Sequence, residues 1–154
     1  MTVRNTLLSV VAIGRNEGRN IERLGRSLAQ LCETASFRVE TIYVDSASSD
    51  DSVAKARNWF DCVIVLEKSD LLCASGGRAV GVDAAKGEWI LFLDGDMELS
   101  EEFSGFITSS LVGLADKESG VAGYVGDYVH IYLEGRTART GYGPDRFGVA
   151  RGFG

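Results

Sequence analysis

Glu88-Trp89-Ile90-Leu91-Phe92-Leu93-Asp94-Gly95-Asp96-Met97-Glu98 is the stretch whose reading decides the fold. Five consecutive apolar residues, bounded by Gly87 and by an acidic turn, read as a strand buried on both faces, the pattern found at the centre of a parallel sheet. In open α/β sheets ligands sit beyond the carboxyl ends of the strands, so Asp94 and Asp96 are expected to project into that crevice. Gly95 between them lets the backbone turn tightly, and two carboxylates there can face one hard cation, or a cation and a ribose hydroxyl. Asp-Gly is also a common turn dipeptide, and the same residues read as a plain strand terminator.

Upstream, Leu7 to Ile13 is an apolar, β-branched run that suits a buried first strand. The polar loop Gly14-Arg15-Asn16-Glu17-Gly18-Arg19-Asn20 follows, then Ile21, Leu24, Leu28 and Leu31 on one face of an amphipathic helix. Arg15, Asn16 and Glu17 are thereby carried toward the crevice, although Asn16 or Asn20 can also cap the helix and Glu17 complement its dipole. Val39 to Val44 reads as a second strand with Asp45 at its tip, followed by Ser46-Ala47-Ser48-Ser49-Asp50-Asp51-Ser52 and a helix near Ser52 to Phe60. Cys62 to Leu66 reads as a third strand. Ser75-Gly76-Gly77-Arg78 opens a small-residue helix through Ala85 with Gly87 as its stop. Glycines leading into an arginine bring backbone amides and a guanidinium to a diphosphate, or form an ordinary turn before a solvated helix.

Beyond the Asp pair, Ser100 caps a helix whose apolar face uses Phe103, Phe106, Ile107, Leu111 and Leu114, closed by Gly120. Val121 to Val125 and Tyr128 to Leu133 read as a hairpin turning at Gly126-Asp127. From Gly135 the chain is rich in glycine, arginine and aromatic residues with no readable helix or strand. It ends at Arg151-Gly152-Phe153-Gly154 without a capping element, as though interrupted. Gly143-Pro144-Asp145-Arg146-Phe147-Gly148 has phosphate-loop glycine spacing, but Val149 stands where the lysine belongs, and no Gly-x-Gly-x-x-Gly follows a strand.

The 154 residues fit one domain with a real core, and strands alternating with helices predict an α/β, three-layer α/β/α sandwich with a mostly parallel central sheet. A net charge of −6 argues against nucleic acid as a partner. The first apolar run is too short for a transmembrane segment, which reads as a cytoplasmic chain. Cys32, Cys62 and Cys73 lack Cys-x-x-Cys spacing and are expected as reduced, mostly buried thiols. The single His130 is assigned no role.

From about Leu8 to Phe103 the chain resembles the donor-binding half of family-2 glycosyltransferases of the GT-A fold. The resemblance rests on Val10 to Glu17, Val44 to Asp50, Arg78-Ala79-Val80-Gly81 and Gly87-Glu88 leading into Asp94-Gly95-Asp96, in that order. It implies that residues 1–134 bind a nucleotide-diphospho-sugar and that residues 135–154 lead to an acceptor-binding part of a longer transferase. It implies that Asp45 recognises the base, Arg78 the base and phosphates, and Asp94 the ribose and metal. Asp96 would be the principal ligand of Mg²⁺ or Mn²⁺, and Glu17 would lie close to the nucleoside, with Asn16 and Gly95 beside it. Arg15 stands where many members carry an aromatic residue, and Ser46 departs from a second aspartate common there.

The activity implied is transfer of a sugar, hexosyl in class, from a UDP- or GDP-sugar to a hydroxyl of a saccharide, lipid or small molecule, as in cell-wall or polysaccharide synthesis. Such a chain works in the cytoplasm or peripherally at a membrane. An exposed apolar face where a further part would pack is compatible with a homodimer. An inverting reaction needs a general base, and no convincing one is found among Asp127, Glu134 and Asp145. A non-catalytic nucleotide-binding or interaction domain and a nucleotidyltransferase remain the alternatives; the acidic Glu17 counts against the latter.

Overall fold

The computed structural model describes residues 7–67, 72–114, 121–126, 128–131, 137–140 and 147–151. Two compact units divide the chain, Met1–Asp116 and Lys117–Gly154. The first runs β1 (Leu7–Gly14), α1 (Ile21–Thr34), β2 (Arg38–Asp45), α2 (Ser52–Ala56), β3 (Cys62–Val65), α3 (Ala74–Ala84), β4 (Trp89–Asp94) and α4 (Glu101–Leu114). Its four strands are all parallel, in the order β3-β2-β1-β4.

The strand pleat sends alternate residues of β1 to opposite faces. Leu8, Val10 and Ala12 pack with Leu24, Leu28 and Leu31 of α1 and with Ile107 and Leu111 of α4. Val11 and Ile13 pack with Ile42, Val44 and, from α3, Val80 and Ala84. Helices therefore cover both faces, giving the expected three layers. A 14-residue helix such as α1 is marginal alone, so its stability comes from burial of Ile21, Leu24, Leu28 and Leu31, each worth about 1.5–3 kcal/mol. Of the three glycines in α3, Gly77 and Gly81 are interior and cost helix formation about 1 kcal/mol each. They are tolerated because a Cβ at Gly81 would stand 2.2 Å from Val11 Cγ1, and one at Gly77 3.3 Å from Ile13 Cγ2. The helix could not otherwise lie this close to β1.

Four expectations are corrected. Among the described residues β4 is an edge strand, with Phe92 42% exposed, and β1 and β2 hold the centre. A continuous apolar run does not distinguish the two positions, because it records nothing of which strands pair beside it. All three cysteines are exposed, at the outer side of α1, the first residue of β3 and the residue before α3. In the second unit, β5 (Val121–Gly126) and β6 (Tyr128–Ile131) do not form the expected hairpin. A single residue separates them, fewer than the two that the tightest hairpin loop requires. Instead β5 pairs antiparallel with β8 (Phe147–Arg151), and β6 with β7 (Thr137–Thr140). Those last two strands lie where no element was legible, because Thr-Ala-Arg-Thr and Phe-Gly-Val-Ala-Arg carry little apolar alternation of their own and are ordered by their partners. The expected stop at Gly120 lies outside the described residues.

Candidate active site

Register places the carboxyl ends of the strands together: Gly14 is opposite Asp45 and Ile13 opposite Asp94. The chain progresses outward from β1 through β2 to β3 on one side and places β4 on the other, so the topological switch point falls between β1 and β4. A cleft of about 340 Å³ opens there. Ile13, Gly14, Arg15 and Glu17 form one wall, Asp94, Gly95 and Asp96 another, and Ser46 with Leu72, Cys73 and Ala74 complete it.

The turn after β4 is pinned from several sides. Gly95 N–H donates to Ile13 O at 2.7 Å, and Met97 N–H to Asp94 O at 2.9 Å. A Cβ on Gly95 would lie 2.8 Å from Glu17 Cγ and 3.2 Å from Ile13 O, so the glycine is required by close approach. Arg78 reaches from α3 and donates through Nη2 to Asp94 Oδ1 at 2.6 Å. Both side chains are over one-third exposed, so solvent screening leaves this pair a weak contributor to stability; its effect is to orient Asp94. Asp96 is exposed, and among the described residues its carboxylate has no hydrogen bond or ion pair.

Glu17 leans over both glycines of the cleft, Gly14 and Gly95, and its Oε2 accepts from Asn20 Nδ2 at 2.7 Å. Arg15 is exposed on the cleft wall. Asn16 has a left-handed φ of 59° and faces away to the neighbouring loop. Its amide donates to Ser48 Oγ at 2.8 Å, and its Oδ1 accepts from Ser49 N–H at 2.9 Å. Asp45 is fully buried: Oδ1 accepts from Ser48 N–H at 2.7 Å and Oδ2 from Ser48 Oγ at 2.5 Å. The structure thus brings Arg15, Glu17, Asp94, Gly95, Asp96 and, through Asp94, Arg78 to the cleft. It leaves Asn16 and Asp45 behind it, where they fix the loops, and presents Ser46 in their stead. Asp50 joins the same seam, accepting from Gly18 N–H at 3.0 Å and from the Ser52 hydroxyl and amide. Those bonds, the Ser52 hydroxyl first, hold its carboxyl below the usual range.

Tyr43 lies beneath this seam, with its ring 5.3 Å from that of Phe60. Its hydroxyl is buried without a hydrogen-bond partner among the described residues. Burial, followed by the charges of Asp45, Glu17 and Asp50, raises its pKa far above the ordinary tyrosine value. The phenol therefore stays neutral after an unfolded tyrosine would ionise near pH 10. The associated stability is full below about pH 10 and falls as pH rises above it, by at most about 1.4 kcal/mol per unit. Tyr43→Phe is expected to raise unfolding free energy by about 1 kcal/mol at neutral pH and to flatten that alkaline fall, read by urea unfolding at stepped pH.

Sequence reasoning gave no site role to Arg23, Ser46, Ser48 or Cys73. Arg23 sits on the polar face of an ordinary amphipathic helix, and nothing in its spacing separates it from Arg19 or Arg26. Cys73 precedes α3 and its Sγ accepts from Gly76 N–H at 3.3 Å. The Ser75 hydroxyl and then that amide hold its thiol below the ordinary value.

Among the described residues no three His, Cys, Asp or Glu side chains cluster as a closed metal site. The pair Asp94 and Asp96, one with a single oxygen engaged and one with none, fits instead a hard cation that takes one or two carboxylates and completes its shell with phosphate oxygens and water. No helix among the described residues is long and apolar enough to cross a membrane.

The sequence profile described as Glycosyl transferase family 2 matches residues 9–131. Among solved structures, S. aureus TarS 1-349 in complex with UDP is 27% identical with a TM-score of 0.59, over 74% of this chain and 33% of that one. The mannosyltransferase PcManGT from Pyrobaculum calidifontis, in complex with GDP-Man and Mn²⁺, is 20% identical with a TM-score of 0.60, over 80% and 35%. Glucosyl-3-phosphoglycerate synthase from Mycobacterium tuberculosis, with Mn²⁺, UDP and glucosyl-3-phosphoglycerate, is 22% identical with a TM-score of 0.58, over 79% and 43%. The last two show likeness of fold. The matched part thus spans between a third and under half of those chains. No curated protein sequence matches the chain.

Proposed function

The chain belongs to glycosyl transferase family 2, and from that premise we propose that its cleft binds a nucleotide-diphospho-sugar, with UDP- and GDP-sugars the first candidates, as the donor half of a metal-assisted transfer to an acceptor hydroxyl. The observation that carries this reading is the turn Asp94-Gly95-Asp96 at the switch point, with an exposed Asp96 carboxylate, unengaged among the described residues, facing the same cleft as Arg15 and Glu17. The turn is further held by Gly95 N–H on Ile13 O, and Arg78 orients its Asp94 carboxylate. Mg²⁺ or Mn²⁺ held by Asp96 and Asp94 would supply Lewis-acid stabilisation of the leaving diphosphate.

The protein groups divide the remaining work. Arg78 keeps Asp94 aimed into the cleft, and Arg15 offers an exposed guanidinium to phosphate or to the face of a base. Glu17 holds the nucleoside side. Ser46, which can both donate and accept, meets the base edge in place of the buried Asp45. Residues 1–134 act as the donor-binding domain and 135–154 lead toward an acceptor-binding part that supplies the general base. The protein works in the cytoplasm or at the membrane surface.

A thermal-shift panel of UDP, GDP, TDP and CDP, each with and without Mn²⁺, tests this. One diphosphate is expected to stabilise the protein by about 2.7 kcal/mol at a hundred times its dissociation constant, only when metal is present. A cooperatively melting protein that responds to none of them contradicts it.

A further inference from the structure

We infer that Arg23 is a positioning residue for the cleft, fixing the backbone that carries Asp96 and, through Asn20, the side chain of Glu17; this rests on reading the cleft as a nucleoside-diphosphate site. Arg23 projects from the first turn of α1. Its Nη2 donates to the main-chain carbonyl of Asp96 at 3.0 Å and to Asn20 Oδ1 at 3.3 Å, while its Nε meets Glu98 Oε2 at 3.2 Å. Asn20 in turn donates to Glu17 Oε2 at 2.7 Å. One guanidinium therefore joins the two acidic walls of the cleft, Glu17 on the β1 side and Asp96 on the β4 side.

Stability does not explain the arrangement. The side chains of Arg23 and Glu98 are about half exposed, and exposed ion pairs contribute little. Its effect is geometric. With Gly95 N–H on Ile13 O and Met97 N–H on Asp94 O, the turn is held on its inner side. The Asp96 carbonyl is the group on its outer side, and Arg23 holds it. Once that peptide plane is fixed, only the side-chain torsions of Asp96 remain free. Lysine cannot reproduce this, because a single ammonium lacks the planar fork that serves a carbonyl, an amide oxygen and a carboxylate from fixed directions.

The test is titration calorimetry of UDP and of GDP in the presence of Mn²⁺ on the wild type, Arg23→Gln, Arg23→Lys and Arg26→Gln, with Tm measured alongside. Arg26 lies one turn along α1, pairs among the described residues only with Glu22, across 3.7 Å, and serves as the control. Both Arg23 variants are expected to keep a Tm close to the wild type and to bind about tenfold or more weakly, the usual effect of removing an outer partner of a metal ligand. Arg26→Gln should bind as the wild type does. Wild-type affinity in Arg23→Lys, or a loss equally large in Arg26→Gln, overturns the positioning role. Absence of any binding by the wild type overturns the donor-site reading and this inference with it.

Discussion

Asp96→Ala is expected to abolish metal-dependent stabilisation by any nucleoside diphosphate while leaving the unliganded protein within about 0.5 kcal/mol of the wild type. The two halves of that expectation have separate causes. Asp96 is exposed and its carboxylate has no partner among the described residues, so its removal breaks nothing that holds the fold. Among the described residues it is also the acid at the cleft whose carboxylate is not engaged, so the full ligand-linked increment of about 2.7 kcal/mol at a hundredfold excess should vanish. Asp94→Ala is a less clean experiment, because it also releases Arg78. Thermal melts of Asp96→Ala with and without UDP or GDP and Mn²⁺ check the expectation. A ligand-induced rise that survives the substitution would remove Asp96 from the site.

Asp45→Ala should have the largest effect on the fold. The carboxylate is fully buried and both oxygens are bonded to Ser48, whose hydroxyl in turn receives the Asn16 amide. Alanine would leave the Ser48 amide without its acceptor and release the loop in which Ala47 is held at a left-handed φ of 57°. Hydrogen bonds to a charged group are worth about 1.5–3 kcal/mol each, so a loss of about 3 kcal/mol is expected in urea unfolding, together with loss of nucleotide binding as Asn16 and the Arg15–Glu17 segment lose their anchor. Asp45→Asn should be milder, since its carbonyl can still accept from the Ser48 amide and its NH₂ can donate to the Ser48 hydroxyl. Retention of nucleotide affinity in Asp45→Asn would show the carboxylate working through the loop; loss of affinity with stability intact would mean that it contacts the base directly.

The contrast between Asp45 and Asp96 shows where sequence reading runs out. Asp45 ends β2 and Asp96 lies two residues past β4, and an acid at or just beyond a strand's carboxyl end does not itself record whether its carboxylate points outward or, as in Asp45, curls back onto a serine three positions on. Backbone trajectory decides, and it depends on Asn16 in another loop. The layers were legible because they follow from apolar periodicity: Ile21, Leu24, Leu28 and Leu31 can bury only as one helical face, and Val10 and Val11 must part to opposite sides of a strand. The place of the Asp94-Gly95-Asp96 turn was legible for a related reason, since a strand's end is visible in its own sequence. Strand order was not. Leu91 to Leu93 reads as central, whereas among the described residues β4 pairs only with β1 and β1 holds the centre. Pairing in the second unit depends likewise on contacts between residues far apart, as with Val125 and Gly148. Arg23 was invisible because its acceptor is a main-chain carbonyl 73 residues away, which no side-chain motif records.

Calorimetric titration of UDP and GDP into the wild-type protein, once with Mn²⁺ and once with EDTA, tests the central claim most directly. Saturable one-to-one binding of one of them that requires the metal is the expected result. Equal heats with and without metal, or none in either, would contradict a donor site built on Asp94 and Asp96.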